Sequence, residues 1–224
     1  MIKIIFFDID GVFNCQDYYD KLINTGLKTI EDHADDYGML LDPLAIERLR
    51  TLIDSCGGND IVKLVCSSAW RHGAGPKKGN NKKRLVGYEY INAMWKFRKY
   101  PGEVIDITPY YNVEEGKNKQ IYSKQSNIGV SSIPRGYEIQ QWLEANGFIH
   151  WHYYDDYVQK RIDECQIETY VIIDDDSDML LSQQMHFVHT DNMHGFNDDA
   201  LRRAIRILNR PVLYQSFWRK DDDF

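Results

Sequence analysis

Short, almost wholly apolar runs recur along this chain, and each stops at polar or acidic residues. Ile2-Lys3-Ile4-Ile5-Phe6-Phe7 stops at Asp8, Ile61–Cys66 at Ser67-Ser68, and Tyr170–Ile173 at Asp174-Asp175-Asp176. Runs of this length without polar alternation predict strands buried on both faces. Between them the period turns helical. Leu44, Ile46, Leu49, Leu52 and Ile53 follow Asp42-Pro43, where Asp42 suits the cap and Pro43 the first turn, and Gly57-Gly58 closes that helix. Ile139, Trp142 and Leu143 share one face of a helix over Tyr137–Asn146, with Arg135-Gly136 at its start and Gly147 at its end. Phe187–His189 reads as a further short strand. Asn197 caps a last helix, Asp198–Leu208, with Leu201, Ala204, Ile205 and Leu208 inward. Strands alternating with amphipathic helices predict an α/β, Rossmann-like fold: a mainly parallel sheet with helices on both faces. Ligands of such sheets bind at the strands' C-terminal ends, where the unusual polar residues fall.

The alternation lapses between residues 73 and 133. Gly73, Gly75, Pro76, Gly79 and Asn80-Asn81 read as loop, Tyr88–Tyr100 as an aromatic-rich helix, and Gly116–Val130 as polar loop. The expected organisation is a core of residues 1–72 and 134–224, with 73–133 inserted as a lid or substrate platform. Asp221-Asp222-Asp223 reads as a solvated tail.

A chain of 224 residues suits one substantial domain. No apolar run approaches the ~18–20 residues needed to cross a bilayer, and the start lacks a basic region followed by an apolar segment, so neither membrane insertion nor export is expected. Cys15, Cys56, Cys66 and Cys165 are scattered without a CxxC pair, which predicts thiols, no zinc site and a cytoplasmic location. The net charge of −7 excludes a globally basic nucleic-acid coat protein. Yet between Arg71 and Lys99 stand Arg71, Lys77, Lys78, Lys82, Lys83, Arg84, Lys96, Arg98 and Lys99, opposed only by Glu89. They interleave with Tyr88, Tyr90, Trp95, Phe97 and Tyr100, which is either a platform for single-stranded nucleic acid or a solvated loop beside a packed helix. The aromatics of Phe148–Tyr157 read as packing, and His186, His189 and His194 as structural or peripheral. No GxxxxGK[ST] loop is present, so no kinase activity is expected.

The chemistry starts at Phe7-Asp8-Ile9-Asp10-Gly11. Residues i and i+2 of a strand share a direction, so Asp8 and Asp10 project together and repel unless a cation lies between them. That suits a nucleophilic carboxylate, a neighbouring acid/base and a hard metal ion. Each element also has a purely structural reading: Asp10-Gly11 as a turn, Asp174–Asp178 as a helix cap, Ser67 as a cap, Arg135 as a surface ion pair. Three acidic residues after a buried strand exceed what a cap requires, and the coincidence of all four at one end of one sheet favours a site.

These motifs resemble the haloacid dehalogenase superfamily of phosphotransferases over residues 1–72 and 134–208. The first motif stands as Phe6-Phe7-Asp8-Ile9-Asp10-Gly11-Val12, the second as Leu64-Val65-Cys66-Ser67-Ser68, and the fourth as Val171-Ile172-Ile173-Asp174-Asp175-Asp176-Ser177-Asp178. The third, a basic residue near a helix start, is best matched by Arg135, with Lys117, Lys119 and Lys124 as substitutes. Ser67-Ser68-Ala69-Trp70-Arg71 and the wording after Arg135 look most like the branch associated with RNA-repair proteins. The resemblance implies a Mg²⁺-dependent phosphatase working through an aspartyl-phosphate on a nucleic-acid end or nucleotide. The alternatives are a small-metabolite phosphatase or a non-catalytic nucleic-acid-binding module. Asp8 is then nucleophile and metal ligand. Asp10 is the acid/base, with its main-chain carbonyl toward the metal. Asp174 and Asp175 complete the metal shell, while Asp178 acts through water or as a cap. Ser67 and Arg135, with Arg71 nearby, bind the substrate's phosphoryl end.

Overall fold

Strand β1 (Ile2–Phe7) is central in a five-stranded, all-parallel sheet ordered β7–β4–β1–β8–β9. Its neighbours are β4 (Val62–Cys66) and β8 (Ile167–Asp174), with β7 (Val104–Ile107) and β9 (Phe187–His189) at the edges. The computed structural model describes residues 1–26, 32–78, 83–109, 133–148 and 165–210. Strands buried on both faces need apolar residues at nearly every position, which explains the runs read from the chain, where only Lys3 and Lys63 intervene, at half-buried positions.

Successive side chains of β1 point to opposite faces. Ile5 and Phe7 join a core with Leu64, Cys66, Val171 and Ile173, covered by α2 (Pro43–Ser55), α3 (Gly87–Phe97) and α5 (Asp198–Leu208). Ile4 and Phe6 join the opposite core with Val65, Tyr170 and Ile172, covered by α4 (Arg135–Ala145) through Ile139, Trp142 and Leu143. Phe6 meets the Trp142 ring edge-on at 5.3 Å, a geometry worth roughly 0.5–1.5 kcal/mol beyond area burial. Asp42 caps α2 by accepting from the Leu44 N–H at 3.0 Å, and Asn197 caps α5 through the Asp199 and Ala200 N–H groups.

Helix α1 (Gln16–Asn24) and the two-residue hairpin of β2 (Ala34–Asp35) and β3 (Gly38–Met39) follow the first strand without having been expected. The larger difference concerns residues 73–133. A hairpin of β5 (Ala74–Lys78) and β6 (Lys83–Val86) follows β4 as a separate two-stranded sheet, outside the five-stranded one. Helix α3 and strand β7, by contrast, return to it. β7 pairs in parallel with β4, and Tyr90, Ile91, Met94 and Trp95 of α3 are buried in the main core. The stretch expected to lie wholly over the sheet therefore contributes an edge strand and its crossover helix. Residues 110–132, which include Lys117, Lys119 and Lys124, lie outside the described residues, as do most of Phe148–Tyr157 and the acidic tail.

Candidate active site

The register Phe7↔Cys66 and Phe7↔Ile173 sets the next residues of three adjacent strands, Asp8, Ser67 and Asp174, at one level. Parity sends all three to the same side. Asp8 continues the row of Ile4 and Phe6, Ser67 that of Val65, and Asp174 that of Tyr170 and Ile172, so all point toward the α4 face. Main-chain bonds hold that level: the Asp8 N–H donates to Ile173 O at 3.0 Å, and the Ser67 N–H to Phe7 O at 2.9 Å.

The start of α4 is fixed to the segment after β8. The Arg135 N–H donates to Asp178 Oδ2 at 2.8 Å, so Asp178 caps this helix. Buried Gln183 accepts from the Leu180 N–H at 3.0 Å and donates to Gly136 O at 2.8 Å. A Cβ on Gly136 would lie 2.6 Å from the Leu180 nitrogen, so only glycine allows this approach. Arg135 is thereby delivered into the site. Its Nη1 lies 3.3 Å from Asp8 Oδ1 and 3.6 Å from Asp174 Oδ2, and it donates to the Ser67 carbonyl.

Asp8, Asp174 and Asp175 bring carboxylate oxygens within 4.8 Å of one another. Asp174 is completely buried, and its Oδ2 accepts no hydrogen bond among the described residues. Burial pushes its pKa well up, with Asp8 adding to the effect and Arg135 opposing it. Burial also raises Asp175, helped by the charges of Asp8 and Asp176. Burial alone would lower Arg135, but Asp174 and Asp8 reverse that and carry it upward. One guanidinium does not balance three gathered carboxylates, so the site has the donor set and the charge deficit of a hard divalent cation. Ser67, also fully buried, has an Oγ without a hydrogen-bond partner among the described residues, as a phosphoryl-oxygen donor would require.

Asp10 stands apart from that trio. Its side chain is exposed, with Oδ2 accepting from Trp70 Nε1 at 2.9 Å and Oδ1 from Asn14 Nδ2 at 3.4 Å. Gly11, at φ 66°, makes the turn, and any Cβ there would collide with the Asp175 carboxylate.

Arg71 lies behind Ser67. It is buried, pairs with buried Glu138 on α4, and donates to the carbonyls of Ser67 and Ser68. It also borders an open pocket of about 530 Å³ that His72, Thr108, Gln141 and Trp142 help to line. The buried Thr108 Oγ1 in that lining has no hydrogen-bond partner among the described residues. Of the other basic and aromatic residues expected to form a platform, Arg98 forks onto Asp35 at 2.7 and 2.9 Å, while Tyr90 and Trp95 belong to the core. Tyr88 and Phe97 are exposed. Nothing local in the sequence marks Trp70 or Glu138 for these roles, because their partners, Asp10 and Arg71, lie sixty or more positions away. His186 stacks on Tyr170, His189 meets the Asp175 carbonyl, and His194 pairs with Asp17.

No curated protein and no solved structure matches the chain. The profile described as the HAD domain in Swiss Army Knife RNA repair proteins matches residues 4–201, a span that takes in every strand of the central sheet and all the residues of the site. By that match, and by the motifs it covers, the chain belongs to the family of HAD domains of Swiss Army Knife RNA repair proteins.

Proposed function

We propose that this protein is a Mg²⁺-dependent phosphatase that forms an aspartyl-phosphate on Asp8 and acts in the cytoplasm on a phosphorylated nucleic-acid end or nucleotide. The observation that carries the reading is the setting of Asp8: a buried carboxylate facing Arg135, level with Ser67 and gathered with Asp174 and Asp175. Asp8, Asp174 and Asp175, with the Asp10 carbonyl, would hold the metal. When bound, Mg²⁺ neutralises the charge that otherwise keeps a phosphate dianion from a carboxylate.

The chain's own groups do the rest. An Asp8 carboxylate oxygen attacks phosphorus, and the bond from phosphorus to the ester oxygen breaks. The departing oxygen takes a proton from the Asp10 carboxyl and leaves as an alcohol. Asp10, now a carboxylate, takes a proton from water as the water oxygen attacks phosphorus. The Asp8–phosphorus bond breaks, phosphate leaves and both aspartates are restored. Ser67 donates to a phosphoryl oxygen, and Arg135 offsets charge on the phosphoryl group in transit. Arg71 acts on substrate through Ser67, whose carbonyl it holds.

Phosphate release from p-nitrophenyl phosphate, with and without Mg²⁺ and with Asp8→Asn, tests this. Turnover should need both the ion and Asp8, and turnover that survives Asp8→Asn would overturn the reading. The nucleic-acid part rests on the family. A small-metabolite phosphatase is the second reading, favoured because Arg71 and Arg98 spend their charge on Glu138 and Asp35. Competition by 3′- and 5′-phosphorylated oligonucleotides against mononucleotides at two salt concentrations separates the two, since polyanion binding weakens steeply with salt.

A further inference from the structure

We propose that Trp70 is the positioning residue of the acid/base: its indole N–H fixes the Asp10 carboxylate, coupling the turn after Ser67 to the loop after Asp8. This rests on the phosphatase reading and adds to it a residue whose ring never needs to touch substrate. The Nε1-to-Oδ2 distance is 2.9 Å, and Trp70 lies sixty residues from its acceptor. Both ends of the contact are built. Trp70 sits in the 3₁₀ turn Ala69–His72, which Ser68 caps: Ser68 Oγ accepts from the Trp70 N–H at 3.3 Å. The ring packs against the main core and lies beside Gly38 of β3, where a Cβ would sit 3.7 Å from it. Asn14 Nδ2 reaches the other carboxylate oxygen at 3.4 Å. Asp10 is exposed, so without these donors its rotamers would be set by solvent alone.

The role is needed because Asp10 acts twice. It must present a proton to the ester oxygen and later accept one from water attacking along the same line, so its oxygens have to stay at one distance from phosphorus. A single N–H from a rigid, two-torsion side chain does this without adding charge that would compete for the metal. Phenylalanine at position 70 would keep the packing and remove only the donor.

The experiment compares Trp70→Phe with wild type by kcat/KM on two substrates. One is a nucleoside monophosphate, whose alkoxide leaves only with a proton from Asp10. The other is p-nitrophenyl phosphate, whose leaving group departs as a stable anion. We expect a loss of about tenfold or more on the first and a much smaller loss on the second, in line with the size of general acid catalysis. In an Asp10→Asn background the same substitution should cost nothing further. Equal losses on both substrates, or an undiminished loss in the Asp10→Asn background, would overturn the assignment while leaving Asp8 as nucleophile. Should Trp70→Phe not fold, the indole N–H resonance of Trp70 in otherwise unaltered protein gives the answer. It should shift and exchange faster in Asp10→Ala, and an unchanged resonance would overturn the proposal.

Discussion

Arg135 Nη1 lies 3.3 Å from Asp8 Oδ1 and 3.6 Å from Asp174 Oδ2, so one nitrogen of α4 serves carboxylates delivered by two neighbouring strands. The same nitrogen donates to the Ser67 carbonyl on a third. The guanidinium is thus the point where the first, second and fourth motifs meet. It also explains why Asp178 and Gln183 fix the helix start so firmly.

Arg135→Lys keeps a positive charge but replaces the rigid, planar guanidinium, whose Nη1 meets all three acceptors, with a flexible and more strongly hydrated point charge. Phosphate release should fall, and Arg135→Met should lower kcat by about 10²–10³-fold, the usual cost of losing a preorganised donor in a phosphoryl or oxyanion site. Steady-state kinetics on p-nitrophenyl phosphate checks this, and an unchanged kcat in Arg135→Met would refute the role.

The Asp8, Asp174 and Asp175 cluster predicts stabilisation by the cation itself. Mg²⁺ at a hundred times its dissociation constant should add about 2.7 kcal/mol, seen as a rise in Tm that a chelator reverses. Asp175→Asn should shrink that rise, because it removes one ligand from the gathered set. A Tm indifferent to Mg²⁺ would count against the metal site whatever the turnover shows.

Much of this site was legible in the chain because its parts are local. Asp8, Ser67 and Asp174 each end an almost wholly apolar run, and runs of that kind become strands buried on both faces, whose ends converge whatever the loops do. Arg135 could be read from its helix start. Strand β7 could not: Val104–Ile107 is short, contains Asp106 and is largely half-buried at a sheet edge, so neither alternation nor an apolar run marks it. Helix α1 buries only Tyr18 and starts at Cys15 without a side-chain cap, which leaves no boundary to read. The pairs Trp70–Asp10 and Arg71–Glu138 join residues sixty or more positions apart, and only the fold brings them together.

Gly11→Ala should separate folding from ion binding. The backbone there has φ 66°, which costs a residue with a Cβ about 1–2 kcal/mol, and the new methyl would displace the Asp175 carboxylate. The variant should fold with a lowered Tm and lose most of the Mg²⁺-dependent rise. A full Mg²⁺ response in Gly11→Ala would mean that Asp175 is not a ligand.

His186 gives the fold a pH dependence of known sign. Its ring stacks on Tyr170 at 4.1 Å, and burial holds its pKa below the ordinary 6.5, with the Tyr170 carbonyl partly opposing. The folded state therefore takes up its proton later than the unfolded chain does. The stability that neutral His186 contributes is complete above pH 6.5 and is lost as pH falls from there through the folded-state pKa. Urea unfolding between about pH 5 and 8 should show the wild type losing stability on acidification more steeply than His186→Phe, which keeps a ring and cannot titrate. Parallel pH profiles would refute it.

Arg71 and Glu138 make the last prediction, because both are buried and their charges offset each other. Burial lowers the Arg71 pKa and the Glu138 carboxylate raises it, so the cation depends on its partner. Glu138→Gln should cost about 3–5 kcal/mol in urea unfolding, the usual penalty of breaking a buried ion pair. The double change Arg71→Met with Glu138→Leu should restore most of that stability, since apolar groups of similar volume need no pairing. It should not restore turnover. The Ser67 carbonyl would have lost one of its two guanidinium donors, and with it the restraint that keeps the Ser67 hydroxyl level with Asp8. Recovery of stability together with full phosphatase activity would show that Arg71 serves the fold alone.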